Sequence, residues 1–352
     1  MIIKNARLKY GTADIKIENG IITGIGNFYG GDSVIDAKRN RVIPGLIDTH
    51  IHGFGGHDAS DGRLEDISIA LARAGTATWF PTAMTDSADG LEKLTGQNIN
   101  VGGANIAGFH LEGPYISKAK KGAQNEAYIK NPDINEFSRF KNVAAVTLAP
   151  ELEGAAEFIR SVGCHVSIGH TCCTYDQAVT AIDAGADCLT HTFNAMPPFL
   201  HRDPGPIGAA FDINAYAEVI CDGVHVSPTA VKALYKMFGS DRLILVSDCI
   251  RPAGLPDGKY SSGGLPVFMR NGKLELEDGT LAGGSHPLLY CVKKAVDIGI
   301  NFYDAVKMAS ETPANRFGLN KGRVAVGYDA DLVVLNDSFL PDKVFVGGKE
   351  II

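Results

Sequence analysis

The chain has 352 residues, of which 45% are hydrophobic and 21% charged, and its formal net charge is −7. These proportions are typical of globular proteins and exclude a disordered, collagen-like or coiled-coil chain. The basic residues are scattered along the sequence, so no nucleic-acid surface is predicted. The length is sufficient for two domains or for one large α/β barrel.

The sequence predicts a cytoplasmic protein. Residues 1–7 reach charged side chains too early for the apolar segment of a signal peptide, and no stretch approaches the roughly 18 apolar residues of a membrane span. The seven cysteines are odd in number and form no C-x-x-C pair, which favours free thiols in a reducing compartment. We therefore expect neither a membrane nor a nucleic acid as a partner.

Both ends of the chain predict short β-strands. Within the first 36 residues, alternating apolar runs are interrupted by Asn19–Gly20, a strong signal for a hairpin turn. The last 30 residues contain three similar runs, at 323–326, 331–335 and 343–346. Because neither end is long enough to bury a core alone, we predict that residues 1–42 and 321–352 pair into one small β-sandwich domain.

Between the ends, residues 43–320 predict repeated strand and helix units. Short apolar runs rich in β-branched residues alternate with helical patterns such as those at 66–74 and 176–182. Eight parallel strands with intervening helices are characteristic of a (β/α)8 TIM barrel, an α/β fold. We place the strands at 42–48, 76–80, 106–110, 143–148, 164–169, 186–190, 217–221 and 242–247, and a β-hairpin excursion at 255–285.

Residues suited to metal binding lie at the ends of several predicted strands. The first strand is followed by His50 and His52, the third by Glu112, the fifth by His170 and the sixth by His191. In a TIM barrel these strand ends converge on the active site. Imidazoles combined with a carboxylate are ligands that zinc or iron takes, so we predict one or two divalent ions per subunit.

A doubly wound nucleotide-binding sheet is less compatible with this sequence, because the sequence contains neither a complete G-x-G-x-x-G nor a complete G-x-x-x-x-G-K-[ST] motif.

One histidine near the predicted ligands is not assigned to the metal. His110 is expected to point away from Glu112, although a supporting role stays open.

Three further residues suggest catalysis and substrate binding. Asp248 ends the eighth predicted strand, where a carboxylate can either ligate an ion or accept a proton from water activated by the ion. His225 follows the seventh strand and can polarise a carbonyl or hold substrate. Arg202 lies in the loop after the sixth strand, where a guanidinium matches phosphate oxygens, although an arginine beside an aspartate is more commonly a solvated pair.

Several segments resemble the amidohydrolase superfamily and, within it, the N-acetylglucosamine-6-phosphate deacetylase family. Segments 44–53 (PGLIDTHIHG) and 327–335 (GYDADLVVL) are similar to the opening and closing signatures of the superfamily. The similarity to the deacetylase family runs in order along nearly the whole chain. It rests on 110–115 (HLEGPY), 169–171 (GHT), 190–196 (THTFNAM), 222–225 (DGVH), 246–248 (VSD) and 281–285 (LAGGS).

The resemblance implies a role for each matching residue. Glu112, His170 and His191 would be the principal metal ligands, His50 and His52 keep a second ion possible, and Asp248 would be the catalytic acid/base. His225 would contact the acetyl group or the sugar, and Arg202 would contact the phosphate. The other implied substrate contacts are Ala123, Asn194, Ala195, Leu281, Ala282, Gly283 and Gly284.

The implied reaction is hydrolysis of the N-acetyl amide of N-acetylglucosamine 6-phosphate to glucosamine 6-phosphate and acetate. The family resemblance also suggests a homodimer in which the neighbouring subunit contributes to the phosphate site. Two positions depart from the family pattern. Gln124 stands where the family commonly has a histidine, and Ser247–Asp248–Cys249 replaces the usual Thr-Asp-Ala.

Two other functions are compatible with parts of the sequence. One is a cyclic amidase or deaminase of the same superfamily, but a common binuclear pattern in cyclic amidases has a carboxylated lysine where this chain has Glu112. The other is a non-catalytic binding barrel, which leaves the predicted ligands and Asp248 unexplained.

Overall fold

The computed structural model describes residues 1–30 and 33–352. In chain order its strands are β1 (Ile2–Leu8), β2 (Gly11–Glu18), β3 (Ile21–Gly26), β4 (Val34–Asp36), β5 (Arg41–Pro44), β6 (Leu46–Ile51), β7 (Gly53–Phe54), β8 (His57–Asp58), β9 (Thr76–Ala83), β10 (Asn105–Ile106), β11 (Phe109–Glu112), β12 (Val143–Leu148), β13 (His165–Ile168), β14 (Cys188–Leu189), β15 (Tyr216–Ile220), β16 (Leu243–Val246), β17 (Gly258–Ser262), β18 (Leu265–Arg270), β19 (Lys273–Glu275), β20 (Leu281–Gly283), β21 (Leu332–Leu335), β22 (Pro341–Val346) and β23 (Lys349–Glu350).

The α-helices of the described residues are α1 (Leu64–Arg73), α2 (Ala88–Thr95), α3 (Ile134–Phe137), α4 (Ala155–Ser161), α5 (Tyr175–Ala184), α6 (Gly205–Asp212), α7 (Pro228–Arg242), α8 (Leu288–Asp297), α9 (Phe302–Met308) and α10 (Glu311–Arg316). None of them combines the length and the apolarity that crossing a membrane requires.

Both ends of the chain enter one sheet of eight strands, in the order β23-β22-β21-β5-β1-β2-β3, with β4 paired to β1. Asn19 and Gly20 form the predicted hairpin turn, with φ angles of 52° and 79°, as a type I′ turn requires. The segment before β21 also contacts the turn before β3, where the Ala330 amide donates to the Gly20 carbonyl at 2.7 Å. Apolar side chains from six of the strands form a separate core inside the sheet. The predicted small β domain built from both termini is confirmed.

The barrel consists of eight parallel strands, β6, β9 and β11 to β16, in that order around the ring. Helices α1 to α8 follow these strands in turn. Strands β16 and β6 close the ring through the backbone beyond β16, where the Asp248 amide donates to the His50 carbonyl at 2.9 Å and the His52 amide to the Cys249 carbonyl at 2.8 Å. The predicted (β/α)8 barrel is confirmed, whereas the domain limits 1–42, 43–320 and 321–352 stay a prediction.

The predicted first barrel strand, 42–48, is in fact two strands of different sheets. Strand β5 belongs to the terminal sheet and β6 to the barrel, with Gly45 between them. A Cβ atom at Gly45 would clash with the Cβ of Ala77, so the chain passes between the sheets at a point where only glycine fits. The predicted strand 106–110 is also divided, into β10 and β11. As a result, His50 and Glu112 lie within strands rather than after them.

The predicted excursion at 255–285 is larger than one hairpin. Strands β17 to β20 form an antiparallel four-stranded sheet, with a turn at Asn271–Gly272 where both φ angles are positive. The sheet returns to the barrel at Gly284, whose amide donates to the Asp248 carbonyl at 2.7 Å. A Cβ atom at Gly284 would clash with the Ser247 carbonyl, so the backbone itself packs against the end of the eighth barrel strand.

Asp331, in the closing signature segment, joins the terminal sheet to the barrel. Its buried carboxylate accepts hydrogen bonds from Lys321 Nζ at 2.6 Å and from the Gly347 amide at 2.7 Å. Its backbone carbonyl accepts from the Gly45 amide at 2.8 Å, between β5 and β6. The segment that resembles the superfamily signature therefore has a structural role in this chain.

We expect Asp331→Ala to lower the free energy of unfolding by about 3 kcal/mol, because removing one partner of a buried ion pair costs about 3–5 kcal/mol. The lower end applies because Lys321 keeps Asp329 at 2.8 Å. Urea denaturation measures the loss, and the exposed Asp337→Ala serves as the control with unchanged stability. Equal stability of the two variants would contradict the role given to Asp331.

Candidate active site

Five side chains suited to metal binding meet at the mouth of the barrel. His50 and His52 come from β6 and its end, Glu112 ends β11, and His170 and His191 follow β13 and β14. Each of the five is no more than 5% exposed. They form two groups, His50/His52/Glu112 and Glu112/His170/His191, in which the ligand atoms lie within 4.8 Å of one another. Glu112 belongs to both groups.

The carboxylate of Glu112 lies between four imidazoles. Its Oε1 atom is 2.9 Å from His191 Nε2, 3.1 Å from His170 Nε2 and 3.3 Å from His50 Nε2. Its Oε2 atom is 3.2 Å from His52 Nε2. Nitrogen and oxygen donors directed at a common point form the ligand set that zinc or iron takes.

The orientation of the rings supports the same conclusion. His170 Nε2 and His191 Nε2 lie only 3.1 Å apart, an arrangement that a shared cation stabilises. His50 Nε2 is buried without a hydrogen-bond partner among the described residues. The residues present therefore fit a divalent metal ion.

Three of the imidazoles contact oxygen atoms of distant segments through Nδ1, whereas their Nε2 atoms face Glu112. These contacts join His170 Nδ1 to the Lys120 carbonyl at 2.7 Å, His52 Nδ1 to the Thr82 carbonyl at 3.1 Å, and His50 Nδ1 to Glu218 Oε2 at 3.2 Å. A proton on each Nδ1 satisfies these acceptors and leaves Nε2 free as a ligand. Sequence analysis missed these acceptors, because no local pattern links them to the histidines.

The backbone at three strand ends is strained. His170, His191 and Asp248 have φ angles of 46°, 29° and 49°. A positive φ is uncommon for residues other than glycine and costs on the order of 1–3 kcal/mol. Such strain is concentrated at functional sites, and no sequence motif reveals it here.

Asp248 faces the first ligand group. Its Oδ1 atom is 3.2 Å from His52 Nε2 and 3.4 Å from His50 Nε2. Burial opposes its charge, but His50 and His52 outweigh that effect and hold the pKa of Asp248 below its ordinary value. The ionised carboxylate can therefore accept a proton or ligate an ion, the two roles left open by the sequence.

His225 is paired with Asp222, an acid that sequence analysis quoted in a motif without giving it a role. His225 Nδ1 lies 2.7 Å from Asp222 Oδ2. Burial alone would lower the pKa of His225, but the hydrogen bond and charge of Asp222 raise it above the ordinary value. The ring is thereby favoured as a charged hydrogen-bond donor.

Most of the predicted residues surround one cavity of about 370 Å³. Its lining includes His52, Glu112, Ala123, His170, His191, Asn194, Ala195, His225, Asp248, Leu281, Ala282 and Gly283. Three predicted site residues lie outside this lining. His50 is fully buried behind it, Gly284 packs against Ser247, and Arg202 lies on the exposed loop between β14 and α6. The individual roles of all these residues stay predictions.

The expectation that His110 points away from Glu112 is wrong, because residues two apart on a strand point to the same side. His110 lies inside the barrel, where its Nδ1 contacts the Thr49 carbonyl at 3.1 Å and its Nε2 contacts Thr147 Oγ1 at 2.8 Å. Its ring centroid is 4.8 Å from that of His50. Burial lowers the pKa of His110 to about 3, so the ring is neutral. It packs against the His50 ring from the barrel interior.

Gln124, which replaces the family histidine, contacts the shared carboxylate. Its Nε2 donates to Glu112 Oε2 at 2.5 Å, and its Oε1 accepts from the Thr85 amide at 2.6 Å. The glutamine therefore links Glu112 to the loop after β9. It offers a neutral donor, so it adds no charge to the ligand groups.

Comparison with known proteins defines the class. The chain belongs to the amidohydrolase family, whose model matches residues 41–351. It is 32% identical over 357 residues to N-acetylglucosamine-6-phosphate deacetylase from Lysinibacillus sphaericus, an alignment that covers 96% of this chain and 92% of the relative. It is 33% identical over 355 residues to N-acetylgalactosamine-6-phosphate deacetylase from Escherichia coli O157:H7, covering 95% and 93% of the two chains.

A solved structure agrees with these relatives. The crystal structure of N-acetyl-D-glucosamine-6-phosphate deacetylase from Mycobacterium smegmatis superposes with a TM-score of 0.92 at 31% identity, covering 100% of both chains. The resemblance inferred from the sequence motifs is thereby confirmed.

We expect Glu112→Gln to lose metal from both ligand groups, because this residue is the ligand they share. His52→Gln should lose metal from one group only. Elemental analysis after dialysis against zinc and then against metal-free buffer measures the ions retained per chain. His225→Gln, a cavity histidine outside both groups, serves as the control and should match the wild type, whereas full metal content in Glu112→Gln would contradict the assignment.

Proposed function

We propose that this chain is a metal-dependent deacetylase that hydrolyses the N-acetyl amide of N-acetylglucosamine 6-phosphate to glucosamine 6-phosphate and acetate, in amino-sugar breakdown and recycling. One observation carries the proposal. A single cavity combines the Glu112/His170/His191 group with Asp248 and His225. Its volume of about 370 Å³ lies within the ~300–1,000 Å³ range of small-molecule sites.

The side chains divide the chemistry of amide hydrolysis among them. Glu112, His170 and His191 would hold a divalent ion, zinc or iron, which when bound would act as a Lewis acid and lower the pKa of water to about 7. Asp248 accepts a proton from the attacking water and passes it to the leaving amine. His225, kept charged by Asp222, donates a hydrogen bond to the oxyanion that develops on the acetyl carbonyl. His50 and His52 offer, with Glu112, a place for a second ion.

We also propose a homodimer in which Arg202 of one subunit contacts the phosphate bound in the cavity of the other. Two observations support this arrangement. Arg202 is exposed and is not part of the cavity lining of its own chain. Its loop also exposes Phe199 and Leu200, at 46% and 50%, and apolar side chains beside an arginine are typical of protein interfaces.

A cytoplasmic location completes the proposal. All seven cysteines lie in the described part of the chain and are free thiols. Free thiols are characteristic of a reducing compartment, where disulfides do not persist.

Acetate release from the zinc- or iron-loaded protein tests the proposed reaction. We expect turnover of N-acetylglucosamine 6-phosphate and a kcat/KM about 100-fold lower for the unphosphorylated sugar, which cannot form charge-assisted hydrogen bonds through a phosphate. The galactosamine epimer is included because of the Escherichia coli O157:H7 relative. A preference for that epimer would reassign the sugar, equal turnover without phosphate would overturn the phosphate assignment, and no acetate from any of the three would overturn the proposed function.

Asp248→Asn should lower kcat by about 10²- to 10⁴-fold, because the amide cannot accept the proton of the attacking water. Metal at Glu112, His170 and His191 should be retained, since Asp248 faces the other ligand group. Steady-state kinetics and elemental analysis measure the two effects, with the exposed Asp183→Asn as the control. Near-normal turnover in Asp248→Asn would refute its role as acid/base.

Co-expression of Arg202→Ala with Asp248→Asn tests the position of Arg202. If Arg202 serves the other subunit, a mixed dimer contains one intact site, and random mixing restores about a quarter of wild-type activity. If it serves its own subunit, every site carries one of the two defects and no activity is restored. Undiminished activity of Arg202→Ala alone would rule out the phosphate contact.

A further inference from the structure

We propose that Glu218 is a positioning residue for the metal site, which orients the ring of His50 from inside the barrel, and that Arg316 compensates its charge. This inference rests on the proposed metal-dependent function. It concerns two residues that no sequence motif singled out. Glu218 lies in the middle of β15, and Arg316 is the last residue of α10.

The carboxylate of Glu218 contacts one residue from each of the two ligand groups. Its Oε2 atom is 3.2 Å from His50 Nδ1, and it also accepts from the His191 backbone amide at 3.4 Å. Its Oε1 atom accepts from Thr49 Oγ1 at 3.2 Å. One fully buried side chain therefore contacts a residue from each of the two ligand groups.

The contact with His50 determines which ring nitrogen is free to bind metal. An ionised carboxylate only accepts hydrogen bonds, so the proton of the His50 ring must lie on Nδ1. The lone pair is then on Nε2, which lies 3.3 Å from Glu112 Oε1 and 3.4 Å from Asp248 Oδ1. A carboxylate behind a metal-bound imidazole fixes the tautomer and the ring orientation, and raises the basicity of the ligand.

Arg316 makes the buried charge of Glu218 possible. Its Nη1 atom lies 3.7 Å from Glu218 Oε1. On the other side its Nη2 atom donates to Asp187 Oδ1 at 2.7 Å and to Ser167 Oγ at 2.8 Å. A buried carboxylate without a compensating charge is strongly disfavoured. Asp187, Arg316, Glu218 and His50 thus form a continuous polar chain from the end of α10 to the metal site.

The same contacts would exist if Glu218 were only the partner of a buried arginine. Asp187 separates the two possibilities. It contacts Arg316 more closely than Glu218 does, but it is partly exposed, and its side chain contacts Arg316 and His165 rather than the metal site. A role confined to charge compensation predicts similar effects for Glu218→Gln and Asp187→Asn, whereas a positioning role predicts a metal defect for Glu218→Gln alone.

Titration of the metal-free protein with Co²⁺, followed by equilibrium dialysis and cobalt absorption, tests the proposal without substrate. In Glu218→Gln, the ion at His50, His52 and Glu112 should bind about 10- to 100-fold more weakly. The ion at Glu112, His170 and His191 should be retained, and Asp187→Asn should bind both ions as the wild type does.

Three results would overturn the proposal: unchanged binding in Glu218→Gln, equal weakening in Asp187→Asn, or a wild-type protein that binds no ion at His50 and His52. If Glu218→Gln does not fold, Glu218→Asp replaces it, because it keeps the charge but shortens the reach to His50. Two-ion binding by Glu218→Asp with wild-type affinity would also overturn the proposal. A wild type that binds both ions but releases no acetate leaves this test intact and refutes only the proposed reaction.

Discussion

The structure depends on one buried carboxylate. Glu112 is almost fully excluded from solvent, and burial alone would raise its pKa, but the surrounding histidines hold that pKa well below the ordinary value. A charge in this position is stable only if several partners are fixed around it at once. Four imidazoles and the amide of Gln124 surround it, and they come from three different strand ends and one loop. The barrel brings these distant segments to one point, so the arrangement of strands that forms the fold also places these side chains around the Glu112 carboxylate.

The need for hydrogen-bond partners around buried polar groups extends into the barrel interior. TIM barrels usually fill this space with branched apolar side chains, and this chain does so where Ile220, Ile244 and Val246 pack together. Directly below the candidate metal ligands the interior is polar instead. His110 contacts Thr147, whose hydroxyl lies 2.8 Å from that of Thr190. The hydrogen bonds among His110, Thr147 and Thr190 satisfy these three buried side chains, so they support the rings of the site from the barrel interior.

Sequence analysis predicted the features that depend on residues close together in the sequence. The alternation of strands and helices gave the barrel, Asn19–Gly20 gave the hairpin, and residues at strand ends gave the ligand candidates. What it missed depends on pairings between distant segments. The contact between His50 and Glu218 joins residues 168 positions apart, and the division at Gly45 depends on Ala77 and Asp331. The positive φ angles of His170, His191 and Asp248 arise from tertiary packing, since none of these residues favours that conformation by itself.

The terminal sheet helps to position the candidate ligands His50 and His52. Strand β6 carries His50 and ends just before His52, and it begins one residue after β5 of that sheet. Its start is fixed where the Gly45 amide donates to Asp331, and its end is fixed where the His52 amide donates to Cys249. A strand held at both ends has little freedom to slide or tilt, so two imidazoles near its end keep a constant position relative to Glu112. The two segments most similar to the superfamily signatures are far apart in the sequence, but they meet at the hydrogen bond between Gly45 and Asp331. The first contains the histidines, and the second holds the strand that presents them.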